Sequence, residues 1–229
     1  MFFADVDFNN LNLNNCIYDN NTCTFQAALT YNNNDLIIYT NKMCLANILP
    51  QDLQNNKFVL EANFTKTNND FYIFMYNLDN KIIDLLFEKS MVLFNVQFKK
   101  ENIIDLYKKY ILLPNNLYEC PKIKIQCNDN VIINNNDNVI INNNDNVIIN
   151  NNDNVIINNN KYNINNLNEN CEVDMKILFN GIIFEKNKCF LNCTILSINV
   201  LSNTIKQNKI LFTDCEDTYS DIINYIKDI

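Results

Sequence analysis

The chain has 229 residues, 48% of them apolar, and a formal charge of −8; Arg, His and Trp are absent and the single Gly is Gly181. Length and apolar content suffice for a full hydrophobic core, in one domain or two small ones, and one domain is the preferred reading. Without His no Ser-His-Asp, Cys-His or His-metal site can be written, and with one Gly neither a G-x-G-x-x-G turn nor a P-loop can form, so no enzymatic activity is expected.

The favoured residues, Asn, Ile, Phe, Tyr and Lys, have A/T-rich codons, which points to an AT-rich genome rather than to chemistry. With Arg missing, any anion site must use Lys, Asn and backbone N–H groups. The acidic balance argues against a uniformly basic nucleic-acid binder, so local clusters decide. The start lacks a basic leader and no apolar run approaches the ~18 residues of a membrane span, so a soluble, intracellular protein is expected. Nine cysteines, an odd number, read as free thiols rather than a disulfide framework. Cys189 and Cys193 fall within one expected strand, about 13 Å apart at the rise of such a strand, and cannot share a zinc ion. Cys120 with Cys127, or Cys16 with Cys23, offer at most two ligands across a turn; no metal and no cofactor is expected.

Residues 1–23 are Asn-rich with scattered Phe and Leu and read as a loosely ordered arm. From Thr24 the pattern changes. Thr24–Tyr31, Asp35–Thr40, Lys57–Lys66, Phe71–Leu78 and Met91–Phe98 are apolar runs between Asn/Asp clusters, the signature of a β-meander. Asn and Asp must supply the left-handed turn positions, as at Asn32-Asn33-Asn34 and Asn68-Asn69-Asp70. Leu45–Leu53 and Ile82–Phe87 fit either short helices or irregular strands. Alternation along Phe71–Tyr76 sets Tyr72, Phe74 and Tyr76 on one strand face, an arrangement suited to stacking the bases of a single strand; burial of both faces is the competing reading.

The period switches at Glu101–Leu112, where Ile103, Ile104, Tyr107, Tyr110 and Ile111 share a helical face that Pro114 terminates. Around it Lys99, Lys100, Lys108, Lys109, Lys122 and Lys124 outnumber Glu101, Asp105 and Glu119, with Tyr107, Tyr110 and Tyr118 interleaved. Lysines among aromatics suit phosphate tracking with base stacking; a solvated helix face is the alternative.

Four identical copies of Asn-Asp-Asn-Val-Ile-Ile-Asn-Asn run from Asn128 to Asn159, with a decayed copy from Asn160. Their identity indicates recent duplication, and their Val-Ile-Ile triplets are short for strands, so residues 128–160 read as a connector inserted in one domain, with Asn ladders leaving self-association open. Beyond it, Val173–Phe184 and Cys189–Leu201 flank the hairpin turn Glu185–Lys188, and Thr204–Thr213 reads as a third strand. Residues 214–229 form an acidic tail or helix suited to docking partners or to competing with nucleic acid.

Met91–Phe98, the segment with Leu106-Tyr107 and Leu113-Pro114-Asn115-Asn116-Leu117 succeed one another, and Gly181–Val200 forms a late hairpin followed by an acidic terminus. In that order the stretches resemble the poxvirus single-stranded DNA-binding protein family, over roughly a quarter of the chain. The family joins these stretches by a longer charged helical segment where the octads stand here, and it uses Arg. The resemblance implies an OB-like β-barrel that coats single strands during viral genome replication in the host cytoplasm.

The combined expectation is a mainly β, α+β domain over residues 24–213, an antiparallel OB-like or barrel-like sheet with one or two helices, interrupted by the octads. Its expected function is non-catalytic binding of single-stranded nucleic acid, DNA first and RNA second, through the six lysines and six aromatics named above. Replication proteins are the expected partners of the acidic terminus, and no membrane is involved. The alternative is a structural or protein-interaction protein whose aromatics are core and whose lysines are ordinary surface.

Overall fold

A computed structural model describes residues 1–20, 23–52, 57–64, 69–113, 120–135, 167 and 171–202. Its strands are β1 (Leu11–Leu13), β2 (Ile17–Asp19), β3 (Thr24–Tyr31), β4 (Asn34–Tyr39), β5 (Met43–Asp52), β6 (Lys57–Asn63), β7 (Tyr107–Lys108), β8 (Lys122–Asn135), β9 (Glu172–Glu185) and β10 (Lys188–Ser202). Three helices, α1 (Asn69–Glu88), α2 (Ser90–Phe94) and α3 (Lys100–Leu106), lie between β6 and β7.

Pairing closes five of these strands into a ring. β5 pairs with β6, β6 with β8, β8 with β10 and β10 with β9, and β9 returns to β5 through Met43↔Val173 and Cys44↔Glu172. Within the ring only β8–β10 is parallel. A closed five-stranded ring with this crossing is the OB-like Greek-key barrel, and closure removes the edges an open sheet would expose. Irregular register at Leu45/Asn47 in β5 and Ile195/Ser197 in β10 bends those strands at the corners.

The alternation of each strand explains the inside. Phe58, Leu60 and Ala62 of β6, Ile123, Ile125 and Cys127 of β8, Val173, Met175, Ile177 and Phe179 of β9, and Leu191, Cys193 and Ile195 of β10 are buried in one core. Lys122, Lys124 and Gln126 point to the opposite face of β8. β9 also carries, on the edge away from β10, the β3–β4 hairpin, whose turn uses Asn32 and Asn33 at positive φ as the sequence predicts. The close approach of β3 fixes the only glycine. Gly181 has φ +143°, and a Cβ there would lie 2.2 Å from the Ala27 carbonyl oxygen.

Several strands form where expected, among them Thr24–Tyr31 and the Glu185–Lys188 hairpin, and residues 43–52 are strand. Others do not. Phe71–Leu78 is part of helix α1 rather than a strand, and Asn69-Asp70 opens that helix instead of making a turn. Phe71, Phe74, Met75, Leu78, Ile82, Leu85 and Leu86 form its buried stripe, spaced three and four apart, so helical burial overrides the strand preference of aromatic residues. Met91–Phe98 is likewise not a strand: α2 ends at Asn95 in the left-handed region, φ 56°. The helix expected over 101–112 stops at Leu106, because Tyr107 and Lys108 are captured as β7 by the parallel edge of β10.

Residues 1–20 are not a loose arm. Phe3, Val6, Leu11 and Leu13 are buried, Phe3 contacts Phe71 and Phe74, and β1 and β2 pair with β3. The first octad also belongs to the barrel, since β8 runs to Asn135 and pairs in parallel with Ser197–Val200. The remaining octads, Thr204–Thr213 and the acidic terminus lie outside the described residues. Cys120 is disulfide-bonded, which departs from the expectation of free thiols throughout. Among the described residues no helix is long and apolar enough to cross a membrane.

Candidate nucleic-acid interface

β7 lies in parallel register with the start of β10, Tyr107 opposite Cys189 and Lys108 opposite Phe190. Strand alternation buries Tyr107 and Cys189 and turns Lys108 and Phe190 outward, side by side. The chain after β7 then crosses above β8, where Tyr110 donates its hydroxyl to the Lys124 carbonyl at 2.7 Å. Between β8, β10 and this segment opens a cleft of about 240 Å3. Lys108, Lys109, Lys124 and Lys188 supply its charge, Phe190 and Tyr110 its aromatic surface, and Gln126 and Asn192 its amide groups.

The charges are not equally available. Lys124 is bonded to Glu61, Lys122 stands 3.6 Å from the same carboxylate, and these lysines, Lys124 first, hold the Glu61 carboxyl below its ordinary range. Lys188 pairs with Glu185 at 3.0 Å and lies 5.8 Å from the centre of the Phe190 ring. Lys109 sits 5.0 Å over the Tyr76 ring. Among the described residues neither Lys108 nor Lys109 forms an ion pair, and both are exposed, so they are the lysines most ready to meet phosphate.

Beneath the cleft is a buried carboxylate. Asp79 of α1 accepts the Tyr107 hydroxyl at 2.5 Å and the Tyr110 N–H at 3.0 Å, and the Ile111 N–H bonds to it as well. Burial raises its carboxyl to about 6 against the opposing pull of those donors and of Lys109. Burial likewise lifts the Tyr107 and Tyr110 phenols well above their ordinary value.

Of the lysines expected at the site, Lys108, Lys109 and Lys124 meet in this cleft, and Lys122 lies beside it on the same face of β8. Lys99 precedes α3 and Lys100 is paired with Asp84 at 2.5 Å; neither lines the cleft. The aromatic platform expected from Tyr72, Phe74 and Tyr76 does not exist. Tyr72 and Phe74 are buried in the helix–barrel core against Phe64 and Phe71, and Tyr76 is half-buried under Lys109. Tyr107 is buried as the Asp79 partner, Tyr110 alone lines the cleft, and Tyr118 lies outside the described residues. Lys188, Phe190, Gln126 and Asn192 were missed; their one sequence signal is the outward parity of β8 and β10. A larger cleft of about 580 Å3 near Asn12, Gln26 and Asn180 is amide-lined, and its one ammonium, Lys89, is already bonded to the Asn12 side chain and the Leu13 carbonyl.

The fold and cleft together define an OB-like barrel with a basic, aromatic groove on its outer face. No family model and no curated protein matches the chain. Among solved structures, the single-stranded DNA-binding protein from bacteriophage Enc34 is similar at 10% identity and a TM-score of 0.44, covering 89% of this chain and 97% of that one. The same phage protein in complex with ssDNA aligns at 10% identity and a TM-score of 0.43, over 77% and 91% of the two chains. Its C-terminal truncation gives 10% and 0.43, over 86% and 95%.

Proposed function

We propose that this protein binds single-stranded nucleic acid, DNA in the first place, without catalysing a reaction on it. The observation that supports this is the cleft in which Lys108, Lys109, Lys124 and Lys188 surround Phe190 on the outer face of an OB-like barrel. Lysines track phosphates at any sequence, and the half-buried Phe190 ring, which lines the cleft, accepts any base by stacking. The proposal extends to viral genome replication in the host cytoplasm, the role that the likeness to poxvirus single-strand binders implies, with replication proteins meeting the acidic terminus.

Fluorescence anisotropy with an unstructured oligonucleotide at low salt tests the reading. Binding should weaken steeply with added salt, and Lys108→Glu with Lys109→Glu should weaken it by at least tenfold and lower the slope of log K against log salt by about 1.4, some 0.7 per lost contact. Absence of binding at low salt sinks the proposal. The protein-interaction alternative has one observation in its favour: Tyr18 and Phe25, paired across β2 and β3 with rings 5.1 Å apart, are exposed on one face of that edge.

A further inference from the structure

We infer that Asp79, which no ligand can touch, is the positioning residue of the cleft: it holds Lys108 and Lys109 where phosphate would meet them. This rests on the reading of the cleft as a nucleic-acid site. Asp79 is 1% exposed on α1, and it is the shared acceptor for a segment whose far side is also tied to β8 by the Tyr110 hydroxyl on the Lys124 carbonyl and by the Leu112–Lys122 backbone pair. β7 is two residues long, a length that cannot fix a strand by pairing alone. The Tyr107 hydroxyl bonds to Asp79 ahead of the lysines, and the Tyr110 and Ile111 N–H groups bond to it behind them. One carboxylate thus pins both ends of a two-lysine span. The remaining polar groups facing it are Lys109 itself and the Cys193 thiol, which also meets Tyr110 from β10.

The sign of one substitution separates positioning from simple charge. Asp79→Asn removes a negative charge beside a basic cleft, so electrostatics alone predicts tighter binding of a polyanion. Positioning predicts the reverse. The amide offers one neutral acceptor oxygen in place of two charged ones to the three donors, so the bonds that hold the two ends of the span become fewer and weaker.

Oligonucleotide affinity, its salt slope and the melting temperature would be measured for the wild type, Asp79→Asn, Lys108→Gln/Lys109→Gln and the triple variant. Asp79→Asn is expected to weaken binding about tenfold and to lower the slope by about 1, with folding retained, and to cause no further loss once both lysines are gone. Tyr107→Phe keeps the charge and removes one donor; it should weaken binding about threefold on the same lysine-dependent terms, and it decides the matter if Asp79→Asn does not fold. Unchanged or tighter binding by the folded variants overturns the inference and leaves the function standing, as does an equal loss in the lysine-free background. A wild type that binds no oligonucleotide overturns both.

Discussion

Phe190 carries the part of the site that charge cannot supply. Its ring faces outward between Lys108 and Lys188, on a strand whose alternate residues Cys189 and Leu191 are buried, so it can be removed without opening the core. Stacking of one base on an aromatic ring contributes about 1–3 kcal/mol. Phe190→Ala should therefore lower oligonucleotide affinity by about tenfold or more, with the melting temperature and the salt slope both unchanged, because no phosphate contact is lost. Anisotropy titrations at two salt concentrations check this, and undiminished affinity would locate base stacking elsewhere. Half of the site was legible because Lys108, Lys109, Lys124 and Tyr110 lie close together in the chain as an excess of positive charge. Lys188 and Phe190 were not. They join the cleft through the β7–β10 pairing, a contact between segments far apart in sequence, and before that pairing is known Phe190 is one alternating residue among many.

At the scale of elements, three of the five barrel strands, β6, β9 and β10, were readable as apolar runs bounded by Asn, Asp and Lys, whereas β5 was left open between helix and strand and β8 was not read as a strand. Helix α1 was not readable either, since Phe71–Tyr76 is apolar at every position and so fits both periods. Only a window extended to Leu86 shows the three-and-four spacing. The octads divide in the same way. The first is the far half of β8, with Ile132 and Ile133 opposite Ser197 and Ile198, while the later copies, identical in sequence, lie outside the described residues. Deleting Asn136–Asn159 is expected to leave melting temperature and oligonucleotide binding within error of wild type. Extending the deletion back to Asn128 should lower the melting temperature by several degrees by stripping the parallel pairing from β10. Equal stability of the two deletion variants, measured by thermal unfolding, would show that the first octad adds nothing to the barrel.

For the whole molecule, the absence of His leaves the window from pH 5 to 7 almost empty of titrating groups, and Asp79 stands in it. Its carboxyl is raised from 3.8 to about 6, so the folded state holds the proton more tightly than the unfolded chain. The stabilisation from this group is complete below pH 4 and is lost as pH rises through 6, to the extent of roughly 3 kcal/mol. The unfolding midpoint should accordingly fall between pH 5 and pH 7, and Asp79→Asn should flatten that fall. A wild-type profile that is level across the window would mean that the carboxyl is not buried as described. The same clamp that aims two lysines thus costs stability at neutral pH, as functional constellations commonly do.

The lone glycine has a consequence for the composition as a whole. Among the described residues Asn32, Asn33 and Asn95, with Cys23, take the left-handed positions that glycine would otherwise serve. Position 181 resists such a replacement. There the dihedral angle, φ +143°, lies well outside the 50–63° that the asparagines adopt, and the Ala27 carbonyl stands where any side chain would begin. Substitution in this chain therefore has a steric floor: one position where any side chain would prise the β3–β4 hairpin from the barrel.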